Sequence, residues 1–470
     1  MQKPGQNKKT ELDSERIGRL LYKMALPVFI GMFVQSTYNV VNTIFVGHFI
    51  GTEAIAGLSL VFPLQMLALG LGMMVGVGGL SVVSYSIGAG DIPRAERALG
   101  NCFIASVAAT LVLMLIVMPF MNFWLKLIGA SPADLPYARP YLMIVYSFAI
   151  LNTIAMALFS LVRAEGNTRI AMIAMVAGAL LNIILDSILI IWLKMGVRGA
   201  AIGTVTSQIL SLLILLYYYL TSKSYLKIRL ANFKPDFKIL KSIFAVGSAS
   251  YVQTSGTSIS AMILLHSVVA YGGDVALGGF GIVQRIIMFA NMPAMVIGQG
   301  LQPILGFNYG ARRFNLGLKA IYLSYASSTV LCVITFALVF IFPGPLARIF
   351  SNDPALVIMS AYAARRVFIV MPLMGFVIVN QMIFQAIGRA AKSFIVAIVR
   401  PVFFLIPSVL ILAHFFKLDG AFFSLPCADF LTFVLTIFVT IPVIQEFRKA
   451  AADEKSPALF PAPVRSIEET

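Results

Sequence analysis

Charge is scarce in this sequence. Asp, Glu, Lys and Arg together make up 11% of its 470 residues, against about 25% in an ordinary soluble domain. Cysteine is nearly absent too: Cys102, Cys332 and Cys427 stand far apart in apolar stretches, which excludes a disulfide framework and any metal-ligand spacing. His48, His266 and His414 are just as scattered. No Gly-Lys dipeptide occurs, so there is no P-loop, and neither HExxH nor GxSxG is found. These absences argue against an enzyme, against ATP hydrolysis by the chain itself and against a bound cofactor. They leave an ion gradient or simple diffusion as the energy source.

What is abundant is apolar: 59% of the residues are hydrophobic and the mean hydropathy is +0.92. Twelve membrane-spanning helices of about 20 residues each fit comfortably in this length. Apolar segments run near 18–47, 53–87, 95–124, 135–162, 169–193 and 199–221, then near 240–271, 275–309, 316–342, 355–387, 391–416 and 420–445. The fold class predicted is an all-α polytopic membrane protein with two six-helix lobes. Its domains are a tail over 1–16, an N-lobe over 17–221, a connector over 222–238, a C-lobe over 239–445 and a tail over 446–470. The longest segments are expected to tilt, to bend at Pro27, Pro63 or Pro293, or to protrude into the headgroup zone.

The net charge of +16 would suit a nucleic-acid partner in a soluble protein, but here it sorts by loop. Of the 35 Lys and Arg, 25 fall in one alternating set of loops and tails. Basic residues are retained on the cytoplasmic side during insertion, so both termini and the connector are expected there. No nucleic acid is expected as a partner; the bilayer is. Residues 1–16 are polar and lack a short apolar core with a cleavage site, so no signal peptide is expected.

The two halves read as copies. A shift of 221 or 222 residues places Gly57 on Gly278, Gly88 on Gly310, Pro132 on Pro354, Gly166 on Gly388 and Gly199 on Gly420. An even number of spans per half gives both copies the same orientation. Transporters built from repeats bind their substrate between the halves and expose it alternately to each side.

Ionisable groups inside apolar spans cost about 2.5 to 3.5 kcal/mol each at a helix centre, and there are four: Asp186, Arg285, Arg400 and Asp429. Asn182 precedes Asp186 by one helical turn, on the same face. Counted from flanking charges, Asp186, Thr204 and Asn42 all lie roughly 9 to 12 Å below the outer surface. Together they are candidates to bind a proton, or a sodium ion at Asp186, Asn182 and Thr204, as the coupling ion. The alternative is a structural carboxyl stapling two helices. Arg285 and Asp429 lie at similar depth and are expected to pair, either shaping a polar pocket or gate or fixing helix packing. Arg400 is expected to snorkel to the cytoplasmic interface. Tyr38, Met66, Phe159, Tyr251, Met288, Phe289, Phe376 and Phe384 fall mid-span and are candidate walls of a substrate cavity, adaptable enough for varied amphipathic ligands. Taken singly, packing or lipid contact is the favoured reading for each, because lipid-facing aromatics are common.

The Leu26-Pro27 entry, the run Asn42-Thr43-Ile44-Phe45-Val46-Gly47, Asn182-Ile183-Ile184-Leu185-Asp186, Gly199-Ala200-Ala201, Gln299-Gly300-Leu301-Gln302-Pro303 and Asn308-Tyr309-Gly310 resemble the multidrug and toxic compound extrusion (MATE) family over roughly 17–445. The 182–186 run and Phe280-Gly281-Ile282-Val283-Gln284-Arg285 are most similar to its bacterial MepA-like branch. The resemblance implies cation-driven export of amphipathic or cationic compounds across the plasma membrane, a V-shaped cavity between two lobes, and coupling groups at Asp186, Asn182 and Thr204. Where many members carry a first-span Asp, this chain has Asn42, which leaves the choice of proton or sodium open. The chain is expected to work as a monomer. A flippase for a lipid-linked precursor is the competing transporter reading; large anionic head groups would call for several cavity cations, and only Arg285 and Arg400 offer themselves.

Overall fold

The computed structural model describes residues 11–50, 52–132, 134–221 and 224–454. The basic residues Lys3, Lys8, Lys9, Lys223, Lys455 and Arg465 of the predicted cytoplasmic set lie outside them, as do most of both tails. Among the described residues every regular element is helical.

The first lobe holds α1 (Ile17–Phe49), α2 (Thr52–Gly88), α3 (Ile92–Val117), α4, α5 and α6 (Gly196–Leu220). α4 is a bent span, Leu135–Ser147 followed by Ala149–Ala164 at 57°. The break falls at Phe148, φ −110° and ψ 10°, and beside it Ser147 Oγ donates to the Met143 carbonyl at 2.8 Å. α5 runs Thr168–Asp186 and opens into a wider π turn, Ser187–Trp192. The second lobe begins with a continuous helical stretch, Phe237–Gly310, broken by Gly273 at φ 65°; its arms are α7 (237–272) and α8 (274–310). α9 is Phe314–Ile341, and α10 runs from Pro354 to Ala386. α11 starts at Ala390, passes through a second π turn, Val399–Leu405, and reaches the break at Lys417, φ 53°. α12 continues from 418 to 454. Counting the bent pair as one span and each broken stretch as two gives twelve transmembrane helices among the described residues.

By packing, the chain divides into two units, and the divisions fall inside helices: one unit takes Leu26–Tyr251, the other Arg16–Ala25 together with the chain from Val252 on. The first turns of α1 therefore pack within the second unit, where Tyr22 and Ser327 of α9 share a hydrogen bond at 2.9 Å. A Cβ on Gly300 of α8 would stand 3.2 Å from the Ala25 nitrogen. The first turns of α7 pack within the first unit, crossing α2 where Gly78 meets Ile243 and Gly247 meets Met74. Gly78 and Gly300, and Ala25 and Gly247, are each 222 residues apart. The two crossings are the same contact made once in each copy of the repeat.

The connector is fastened to the first unit. Glu96 of α3 accepts from the Lys227 amide at 3.2 Å and from Asn232 Nδ2 at 3.3 Å. Asn101 donates to the Lys234 carbonyl and accepts from the Asp236 amide. At its start, the buried Glu165 carboxylate accepts from Tyr218 Oη at 3.0 Å, Ser224 Oγ at 2.9 Å and the Tyr225 amide at 2.9 Å. Burial outweighs these donors and pushes the Glu165 carboxyl up from 4.5 to about 7. A carboxyl whose folded pKa is raised binds its proton more tightly in the native state, so its contribution is complete below pH 4.5 and is lost as pH rises through about 7. Thermal stability of the wild type should therefore fall over this window relative to Glu165→Gln, by on the order of 3 kcal/mol. Parallel pH profiles for the two proteins would count against it.

Candidate functional site

α5 and α6 run antiparallel in close contact. Ser211 Oγ of α6 reaches the Ala174 carbonyl at 2.9 Å, and further along the pair Asp186 lies over Gly203. A Cβ on Gly203 would stand 2.4 Å from Asp186 Oδ1, so glycine is what admits the carboxylate. Asp186 is completely buried and Asn182 is 2% exposed. With its amide turned so that both ends are satisfied, Asn182 Nδ2 donates to Asp186 Oδ2 at 3.1 Å. Its Oδ1 accepts from the Thr204 amide at 3.2 Å. The expected association of Asp186, Asn182 and Thr204 is thus present, with Thr204 engaged through its backbone.

Two tyrosines lie near this pair. Tyr141, on the first arm of α4, accepts from Gln65 Nε2 of α2 at 3.3 Å; it lies beside the Thr204 side chain and within electrostatic reach of Asp186. Tyr38 of α1 is near both Tyr141 and Asp186. Asn42, one turn beyond Tyr38, has a buried Oδ1 with no hydrogen-bond partner among the described residues, and Asp186 Oδ1 is in the same state. Tyr38, a candidate cavity wall by sequence, thus belongs beside the carboxylate. Tyr141 and Gln65 are absent from the sequence-based candidates, although an amide in the apolar run of α2 is a visible signal. The site is a carboxylate ringed by hydroxyls and amides, with no Lys, Arg or His paired to it among the described residues.

In the second unit the expected pairing of Arg285 with Asp429 is overturned. Arg400 Nε meets Asp429 Oδ1 at 2.6 Å, so Arg400 does not snorkel either. Depth explains part of this. Arg400 is ten residues past the start of α11 at Ala390, about 15 Å in from one end, and Asp429 is twelve past Lys417, about 18 Å in from the other. Both therefore reach the middle of a hydrocarbon layer about 30 Å thick. Direction explains the rest. Phe280 of α8 stacks on Phe422 of α12, centroids 5.8 Å apart, and Arg285, five residues on, is turned about 140° from that contact. It is exposed and holds its guanidinium 6.0 Å over the Phe350 ring.

Of the candidate wall residues, Met66, Phe159, Tyr251 and Phe289 are half-buried and Met288 is exposed. Phe376 packs between Tyr325 and Phe433. Phe384 exposes none of its surface; it is core of the second unit and lines no wall in this conformation.

The MatE family model matches residues 27–188 and 251–410, one stretch in each half of the chain. The chain belongs to the MatE family. Its relatives include the multidrug export protein MepA of Staphylococcus aureus (strain MRSA252), 26% identical over 413 residues, 87% of this chain and 90% of that protein. The MepA of Staphylococcus haemolyticus (strain JCSC1435) is 25% identical over 429 residues, 91% and 94% of the two chains. Among solved structures, MATE in the straight conformation superposes with a TM-score of 0.88 at 25% identity, over 95% of this chain and 100% of the other. A MOP superfamily transporter from Pyrococcus furiosus Vc1 (DSM3638) gives 0.88 at 26% identity, over 94% and 100%. This MatE chain is accordingly a multi-pass membrane protein of a multidrug efflux transporter family, with the twelve-helix, two-lobed fold of its relatives.

Proposed function

We propose that the chain is a secondary antiporter that exports amphipathic or cationic organic compounds from the cytoplasm by alternating access, in exchange for a proton taken up at Asp186. The observation that carries this is a fully buried carboxylate with one oxygen unpartnered and no cation beside it among the described residues. Left ionised there, it would bear the desolvation cost of an uncompensated charge; a bound proton removes that cost. The basic loops orient both termini and the connector toward the cytoplasm. A flippase for anionic lipid precursors is disfavoured, since Arg400 is already neutralised by Asp429.

The test is transport into reconstituted vesicles with each gradient imposed separately. A proton gradient alone should drive accumulation of a lipophilic cation, and a sodium gradient alone should not. The reverse result would move the coupling ion to sodium; equal uptake without either gradient would remove antiport altogether.

A further inference from the structure

Among the described residues each unit buries one carboxylate within its apolar spans, Asp186 and Asp429, and the two are neutralised in different ways. Asp186 has an amide donor on one oxygen and no cation. Asp429 has Arg400 Nε on Oδ1 at 2.6 Å. The two acids belong to related settings, because α5 and α11 begin 222 residues apart, at Thr168 and Ala390, and each opens into a π turn. In α5 the turn follows Asp186 directly; in α11 it contains Arg400. Such turns cluster at functional positions in helices. The Arg400 turn is held from the side by α7. Ser260 Oγ donates to the Pro401 carbonyl at 2.7 Å, and Gly256 leaves room for the Pro401 ring, which a Cβ there would meet at 2.9 Å.

A carboxylate taken out of water needs a proton or a cation to compensate it. The one beside Asp429 is a guanidinium that is covalently part of the chain. It can neither be exchanged nor carried across. We infer that Arg400 is a resident counter-ion that takes the second unit out of ion coupling, so that one cation is exchanged per substrate, at Asp186 alone. This rests on the reading of Asp186 as the coupling carboxylate. The other paired acids of the second unit sit near helix ends, Asp419 with Arg366 and Glu446 with Arg389, and add no second site within the bilayer.

Removing Arg400 alone should then convert Asp429 into a second exchangeable site, and removing both charges should restore the original count. The measurement is the number of cations moved per substrate by the full chain in vesicles, taken from the opposing gradient at which net flux reverses. One cation is expected for the wild type, for Arg400→Lys and for Arg400→Gln with Asp429→Asn, and two for Arg400→Gln. A wild-type count of two that falls to one in the double variant would overturn the inference without touching Asp186, as would a count of one in Arg400→Gln. Should Arg400→Gln fail to accumulate, Arg400→Lys and the double variant decide, since a count other than one in either overturns the inference. Continued cation exchange by Asp186→Asn would instead overturn the underlying assignment.

Discussion

Asp186→Asn is expected to lower gradient-driven export roughly 100-fold, near the upper end of coupling free energies between sites, while leaving insertion, thermal stability and substrate binding close to wild type. The reason is in the contacts. Asn at this position keeps the size of the carboxylate, can still accept from Asn182 Nδ2 and fits over Gly203. What it cannot do is titrate. An ion drives a conformational equilibrium only by binding the two states unequally, and a protonated carboxyl differs from a carboxylate in just that respect: the neutral form tolerates a dry closed arrangement, the charged form needs water or a cation. The variant is locked as the neutral form, so it should bind and release substrate yet lose its response to the gradient. The decisive measurement is uptake against an imposed proton gradient, beside substrate binding to the same purified protein. Full gradient-driven transport by correctly folded Asp186→Asn would falsify the assignment.

This site is legible in the sequence where the relevant geometry is one-dimensional. Asn182 and Asp186 share a helix, and a spacing of four is enough to place them together. Thr204 is reachable by counting residues from flanking charges, because depth in a bilayer is also a single coordinate. Asp429 shows where that stops. Arg285 and Arg400 both lie at a depth that suits it, and only the angle around each helix, set by contacts such as Phe280 on Phe422, selects Arg400. Tyr141 and Gln65 escape for a related cause: they come from two other spans, and Tyr141, with Gln65 bonded to it, comes within reach of Asp186 only after α2 and α4 have packed. The twelve spans themselves are legible because hydropathy reports the solvent. The exchange of first turns between units is not, since α1 and α7 look like ordinary spans until their crossings are seen.

Those crossings carry the second large expected effect. At Gly78 a Cβ would stand 2.0 Å from the Ile243 carbonyl oxygen, and at Gly247 it would stand 1.9 Å from that of Met74. Each obstacle is backbone, so no rotamer change relieves it, and α2 and α7 would have to move apart along their whole contact. Close helix approach through small residues is a principal source of stability where lipid is the solvent. Gly78→Ala and Gly247→Ala should each cost about 1 to 3 kcal/mol or more by overpacking, and valine at either site should leave little folded protein. The equivalent contact in the second unit is looser: Gly300 would place its Cβ 3.2 Å from the Ala25 nitrogen and 3.3 Å from its Cα. Gly300→Ala should accordingly be much milder, needing only a few tenths of an ångström of relief. Gly281 on α8, where a Cβ would find nothing within 4 Å, serves as the control; alanine there should stabilise by up to about 1 kcal/mol through helix propensity alone. Thermal midpoints of the four alanine variants in one detergent test this ordering. Equal midpoints for Gly78→Ala and Gly281→Ala would show that the α2 and α7 backbones do not meet as described, and that the first turns of α7 are not anchored in the first unit.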